Sequence, residues 1–311
     1  MLATIDNQAI IGTALPIDQI VDIFINSQDV KPSSRALYRR TIKQYFNWLN
    51  SASIELLDVT RVEVLRYKES LLEDGLSPLT VGSYITVVRK FYEWAEANKY
   101  YPNVAKGIKT PRRKQQFKKQ ALSIYLGKEL LEHFTGRALK EFAIANLLIR
   151  TGLRTIEASR ANIEDIVFKG GKRVLLVHGK GRDSKDEFVI LTEKAYQPIK
   201  NYLATRPGAK GGEPLFISTS NNSKGARLST RTISGIVKEG MRAIGLDSKE
   251  YTAHSLRHTT AVNILRAGGR IEDAQGVLRH SSPTTTQIYT ETIKEEMRIK
   301  NAPEELIDSL M

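Results

Sequence analysis

The chain has 311 residues, 41% hydrophobic and 26% charged, which is longer than the about 100–200 residues one domain usually takes and too apolar for wholesale disorder. Lysine and arginine number 47 against 34 acidic residues, a net charge of +13, and that excess points to a polyanion, either nucleic acid or an anionic membrane surface. Cysteine is absent, which excludes disulfides, thiolate zinc sites and a cysteine nucleophile and is ordinary for a cytosolic protein.

Residues 1–15 read as a tail. The segment has no basic start, and Asp6, Asn7, Gln8 and Gly12 interrupt its apolar residues, so neither a signal peptide nor a spanning helix is expected. No later stretch approaches the about 18 apolar residues that a span requires. The expectation is a cytoplasmic protein without a membrane partner.

From 16 to 105 the pattern is helix after helix. Ile17, Ile20, Val21 and Phe24 recur at helical spacing, the stripe of an amphipathic helix. Ser33 or Ser34 is expected to cap a second helix with Tyr38, Ile42, Tyr45, Phe46 and Leu49 on one face, interleaved with Arg35, Arg39, Arg40 and Lys43 as candidate DNA contacts. A third helix is expected to follow Asp58 and to end near Gly75. Ser77 as N-cap with Pro78 behind it starts a fourth, where the missing proline N–H costs nothing.

The run 106–120, KGIKTPRRKQQFKKQ, holds no acidic residue and reads as an extended basic linker. Its Arg112, Arg113 and Lys114 are candidate phosphate contacts, against the alternative of a merely solvated charge run. The segment 121–301 reads as a mainly helical, mixed domain. Its expected helices are Leu139–Arg150 (stopped at Gly152), Glu193–Thr205, Thr230–Ile244, Ser255–Ala267 and Ile271–Arg279, and its strands are Val174–Val177 and Glu187–Leu191. The last residues, 302–311, read as a short amphipathic helix able to dock on a neighbouring subunit. The fold class is thus mainly α with a small hairpin-based sheet, in two domains.

Several polar residues of the second domain invite chemistry. His254 and Arg257 share a helix face at the start of a helix, whose free N–H groups suit a phosphate. Arg154 follows a glycine break, and Glu157, three residues on, is placed to orient or pair with a neighbouring group. Lys180 lies between glycines at a hairpin tip, and a lysine of lowered pKa can donate a proton. His280 precedes a turn, and Tyr289 falls near the end of a short helix. Each alone has an ordinary structural reading.

Together and in this order, Arg154, Lys180, His254-x-x-Arg257, His280 and Tyr289 resemble the catalytic set of the tyrosine recombinase (phage integrase) family. The nine-residue step from His280 to Tyr289, in TTQIYT, looks most like Xer-type recombinases and related mobile-element integrases. The resemblance implies a helical core-binding domain followed by a catalytic domain, with no separate arm-binding domain. It implies that Tyr289 attacks a scissile DNA phosphate to give a 3′-phosphotyrosine, while Arg154 and Arg257 clamp the non-bridging oxygens. Lys180 would protonate the departing 5′ oxygen, His254 would act as general base and His280 would hydrogen-bond the phosphate, with Glu157 and His258 supporting. Neither metal, ATP nor another cofactor is expected. The implied partner is a double-stranded core site with two inverted arms, bound by a tetramer that passes through a Holliday junction and that can include a paralogous recombinase. Arg279 departs from the family, which usually has glycine there: a side chain would either crowd the turn or add a phosphate contact. The competing readings are a type IB topoisomerase-like enzyme and a non-catalytic DNA-binding relative.

Overall fold

The fold is described from a computed structural model that covers residues 16–112, 120–178 and 184–279, with 289, 293, 298, 299, 302 and 304–308. Contacts divide the chain into two compact units, Met1–Gln115 and Gln116–Met311.

Among its described residues the first unit holds four α-helices: α1 (Ile17–Asn26), α2 (Pro32–Ser51), α3 (Arg61–Glu73) and α4 (Pro78–Ala97). Two start where the sequence pattern did not put them. Pro32, pre-set for the first helical position, opens α2 with Lys31 at the N-cap, so Ser33 and Ser34 fall inside the first turn. Thr60, not Asp58, caps α3: its Oγ1 accepts from the Val62 N–H at 3.2 Å, and Glu63 accepts from the Thr60 N–H at 2.8 Å. The α4 start is as expected, with Ser77 Oγ accepting from the Thr80 N–H at 3.2 Å.

The apolar stripes of these helices meet in an aromatic core. Phe91 takes Phe24 and Phe46 edge-on at 5.5 and 5.3 Å, and the Tyr45 and Tyr92 hydroxyls satisfy each other at 2.9 Å. Ile108, within the stretch read as linker, is buried in this core, and its carbonyl accepts from Arg89 Nη1 at 3.3 Å.

The second unit is built on α6 (Leu139–Thr151), whose Ala143, Ile144, Ala145, Leu147 and Leu148 are all buried. Around it lie α5 (Ile124–Phe134), α7 (Thr155–Arg160), α8 (Glu193–Ala204), α9 (Thr230–Ala243), α10 (Ala253–Arg266) and α11 (Ile271–Leu278). The sheet has three antiparallel strands in the order β1 (Ile166–Lys169), β2 (Lys172–Val177), β3 (Glu187–Ile190). Strand β1 was not foreseen. It is short, with Phe168 exposed, and has none of the fully buried positions (Val174, Leu175, Val177) that mark β2. Helix α5 was also missed, although Ser123 caps it through the Leu126 N–H at 3.1 Å. Among the described residues no helix is long and apolar enough to cross a membrane.

Helices α5 and α9 touch at Gly240, where a Cβ would come 2.4 Å from Phe134 Cζ. Gly240→Ala is therefore expected to destabilise the second unit by about 1–3 kcal/mol through overpacking. Urea titration should show a lower midpoint for that unit and an unchanged transition for the first.

Candidate active site

The helix that carries the HxxR pair is fixed before it begins. Lys238 of α9 donates through Nζ to the carbonyls of Asp247 and Ser248 (both 2.8 Å), Tyr251 (3.1 Å) and Leu246 (3.3 Å), drawing the loop before α10 around one cation. The Thr252 N–H donates to Ser255 Oγ at 3.1 Å, and Ser255 Oγ donates to the Glu250 carbonyl at 3.1 Å. Sequence reasoning missed Lys238, because a single lysine on an amphipathic helix gives no signal of the loop it will hold.

On α10, positions 254, 257 and 258 are one turn apart and differ sharply in environment. His254 is exposed, whereas Arg257 and His258 are buried. Arg257 Nη1 donates to the Gly152 carbonyl and Nη2 to the Leu278 carbonyl. Two of the guanidinium's five N–H donors are thus spent on helix-end carbonyls. Burial, and next the nearby charge of Arg154, pull Arg257 down to about 10, so it stays cationic at neutral pH.

Gly152 makes the junction possible. It ends α6 with φ 62° and ψ 21°, the left-handed region that suits glycine. Two residues on, Arg154 caps α7. Its backbone N–H donates to Glu157 Oε2 and its Nη1 to Glu157 Oε1, both at 2.8 Å. Glu157 is buried, and Arg279 Nη2 also donates to its Oε2 at 2.6 Å. Arg279 lies in the left-handed conformation, φ 53° and ψ 49°, the region that glycine adopts most readily. Its side chain does not crowd the turn: it turns inward onto Glu157.

Tyr289 is buried with Ala261, Val262, Ala274 and Leu278 of α10 and α11. Its Oη lies 2.6 Å from His258 Nδ1, and His258 meets the His254 ring edge-on at 4.7 Å. Among the described residues the imidazole in hydrogen-bond contact with the phenol is that of His258, while His254, one turn away, is exposed. Burial pushes the Tyr289 phenol up to about 12, against the pull of Arg257 and Arg154. At neutral pH it keeps its proton, so a nucleophilic role requires a base.

Lys180, His280, Arg113 and Lys114 lie outside the described residues. On α2, Lys43 pairs with Asp18 at 2.6 Å and Arg39 pairs with Asp22, both acids from α1. Arg35 donates to the Gln28 carbonyl at 3.3 Å, and Arg40 and Arg112 are exposed. Near the C-terminus Glu305–Asp308 form one helical turn with Ile307 exposed. Among the described residues no cluster of His, Asp and Glu could hold a metal ion.

The family model described as the phage integrase family matches residues 128–296, and that described as the phage integrase N-terminal SAM-like domain matches residues 21–99. Tyrosine recombinase XerC of Pelobacter propionicus is 31% identical over 272 residues, 85% of this chain and 86% of the relative. Tyrosine recombinase XerD of Corynebacterium glutamicum is 30% identical over 277 residues, 84% of this chain and 88% of the relative. Among solved structures, XerH site-specific recombinase bound to palindromic difH substrate in a post-cleavage complex has a TM-score of 0.73 at 20% identity, covering 93% of this chain and 84% of that one. A lambda integrase dimer bound to a COC′ core site has a TM-score of 0.70 at 18% identity, covering 88% and 77%. At these identities the two structures bear on the fold alone.

At Gly152 a Cβ would lie 2.5 Å from Leu278 Cδ2 and 3.4 Å from Thr260 Cβ. Gly152→Ala is expected to cost about 1–2 kcal/mol for the left-handed backbone alone, and more for the displaced Leu278. Urea denaturation should record the loss, and hydrogen exchange should show faster opening at the end of α11.

Proposed function

The chain belongs to the phage integrase family, and on that premise we propose how this site-specific DNA recombinase of the tyrosine type works. The observation that carries the reading is the buried Tyr289, with His258 Nδ1 at 2.6 Å from its Oη and the charges of Arg257 and Arg154 acting on its phenol. That is a protonated nucleophile beside a preorganised pair of cations.

In the proposed reaction Tyr289 Oη forms a bond to the scissile phosphorus as the bond to the 5′ oxygen breaks. The phenolic proton passes to a histidine, and Lys180 gives a proton to the leaving 5′ oxygen. Arg154 and Arg257 donate to the non-bridging oxygens, where negative charge grows in the transition state. His280 adds a further hydrogen bond to the phosphate. One phosphodiester is exchanged for another, so the strand is rejoined by the reverse attack of a 5′ hydroxyl without an outside energy source.

The resemblance gives the base as His254. The contact between Tyr289 and His258 favours a second reading, in which His258 takes the proton directly. Comparing His254→Ala with His258→Ala in single-turnover cleavage separates the two.

The partner is DNA, as it is for the relatives named above. The finer reading is a core site with two inverted arms, held by Arg35, Arg39, Arg40, Lys43 and the basic run around Arg112, Arg113 and Lys114. Arg39 and Lys43 would then exchange their α1 carboxylates for phosphates. We further propose a tetramer on DNA in the cytoplasm, passing through a Holliday junction, with the segment from 302 docking on a neighbour and a paralogous recombinase as an admissible partner. The 53% exposure of Ile307 supports that docking.

The test uses a nicked duplex selected from a randomised inverted-arm library by covalent capture on the wild-type chain. Tyr289→Phe should fold and bind this DNA but give no covalent adduct on a denaturing gel; adduct at the wild-type level would overturn the reading. Arg257→Ala should slow single-turnover cleavage by about 10²–10³, equivalent to about 2.7–4 kcal/mol. Affinity should change far less, because many basic groups share the phosphate contacts. A rate within about threefold of wild type would remove Arg257 from the clamp.

A further inference from the structure

We infer that Arg279 is a positioning residue for strand cleavage: it locks the carboxylate of Glu157 that orients Arg154, and ties that pair to the end of the β2–β3 ladder. The inference rests on the clamp reading of Arg154 given above.

Three observations carry it. First, Arg279 occupies a left-handed backbone position, φ 53°, that favours glycine, yet it bears a long charged side chain. Second, that side chain is directed inward, with 7% of its surface exposed. Nη2 donates to Glu157 Oε2 at 2.6 Å and Nη1 to the Val277 carbonyl at 3.0 Å. Nε stands 3.3 Å from Glu187 Oε2, an ion-pair distance at which it makes no hydrogen bond. A guanidinium spent on these partners is placed to hold protein groups rather than to meet a phosphate itself.

Third, Glu157 is where Arg279 and Arg154 meet. Its Oε1 accepts a hydrogen bond from Arg154 Nη1, and its Oε2 accepts from both the Arg154 backbone N–H and Arg279 Nη2. The carboxylate is 1% exposed, so its plane is set by these donors and not by water. Without Arg279, Oε2 keeps only the backbone donor, and the carboxylate that aims Nη1 of Arg154 is held by two hydrogen bonds instead of three. At its other end Arg279 faces Glu187, which pairs with Val177 at the end of the β2–β3 ladder. One side chain thereby spans the C-cap of α11, the first turn of α7 and the start of β3.

Geometry of this kind acts on the rate more than on binding, since a misplacement of about 1 Å can cost about 100-fold. With the full chain and the nicked duplex described above, Arg279→Gly and Arg279→Met should slow single-turnover adduct formation by about 10- to 100-fold. The half-saturating DNA concentration should stay within about twofold of wild type. If Arg279 acts through Arg154, Arg279→Gly should add almost nothing in an Arg154→Ala background, whereas a general structural defect would multiply. Glycine suits the local backbone, so Arg279→Gly is the variant with the least folding penalty. Should it fail to fold, Glu187→Gln removes the second anchor without touching the clamp and is expected to slow cleavage at least threefold. A wild-type rate for Arg279→Gly, its full multiplication on Arg154→Ala, or a wild-type rate for Glu187→Gln where that variant must decide, overturns the inference. If Arg154→Ala itself cleaves at the wild-type rate, the clamp reading fails first, and the two failures are distinguishable.

Discussion

The second unit is organised around a charge that has been taken out of water. Arg257 is 1% exposed, and an unpaired guanidinium at that depth would cost several kcal/mol. Its compensation is not a single carboxylate in direct contact but two carbonyls, from the glycine that ends α6 and from the last residue of α11. Helix C-terminal ends carry partial negative charge, so two of them converging on one cation offset much of the desolvation. The consequence is geometric as well as energetic. Three helices cannot move independently without uncovering this charge, and the remaining N–H donors of Arg257 keep a fixed direction.

The rest of the centre follows from that junction. Arg154 emerges two residues after Gly152, so its place is set by the same turn. Tyr289 packs against α10 and α11, the two helices that Arg257 joins. Three arginines and two carboxylates are gathered here: Arg154, Arg257 and Arg279 with Glu157 and Glu187. Glu157 is held by Arg154 and Arg279 together, which leaves Arg257 as the cation with no carboxylate bonded to it among the described contacts. In the proposed reaction a phosphate entering the centre would supply the missing anion. The same excess positive charge pulls against the burial that raises Tyr289, so in the proposed reaction one arrangement would both stabilise developing charge and temper the acid to be deprotonated.

The first unit solves a different problem. Its aromatic core fixes four helices by apolar packing, and the buried Tyr45 and Tyr92 hydroxyls satisfy each other within it. Its basic face is left to solvent and to carboxylates: Asp18 and Asp22 sit beside Lys43 and Arg39. These exposed pairs are weak, and for Asp18 the hydrogen bond and charge of Lys43 hold the carboxyl below its usual range. Weak surface pairs can be exchanged for phosphates, whereas the buried pairs of the second unit cannot be broken without cost. The division between exchangeable and fixed charge follows from burial alone.

Helical periodicity and capping signals were local, and so the sequence by itself determined the helical character of both units, the β2–β3 pair and the helix carrying His254, Arg257 and His258. The short-range signals failed where a competing local group won, as at Pro32 and Thr60, or where an element is held by its neighbours rather than by its own pattern, as at β1. The ordered set from Arg154 to Tyr289 was legible because chemistry fixes residue types and order even when each residue alone looks ordinary. What only the tertiary structure decided is which partners those residues take. Nothing in the sequence places the Gly152 and Leu278 carbonyls at one guanidinium, since they are separated by 126 positions (278 − 152) along the chain. Nor could spacing choose between His254 and His258 as the neighbour of Tyr289, because both lie one turn apart on the same helix and burial alone distinguishes them. Arg279 is the clearest case: in the sequence it is an exception at a glycine position, and only the fold, by bringing Glu157 and Glu187 within reach of one side chain, gives it partners.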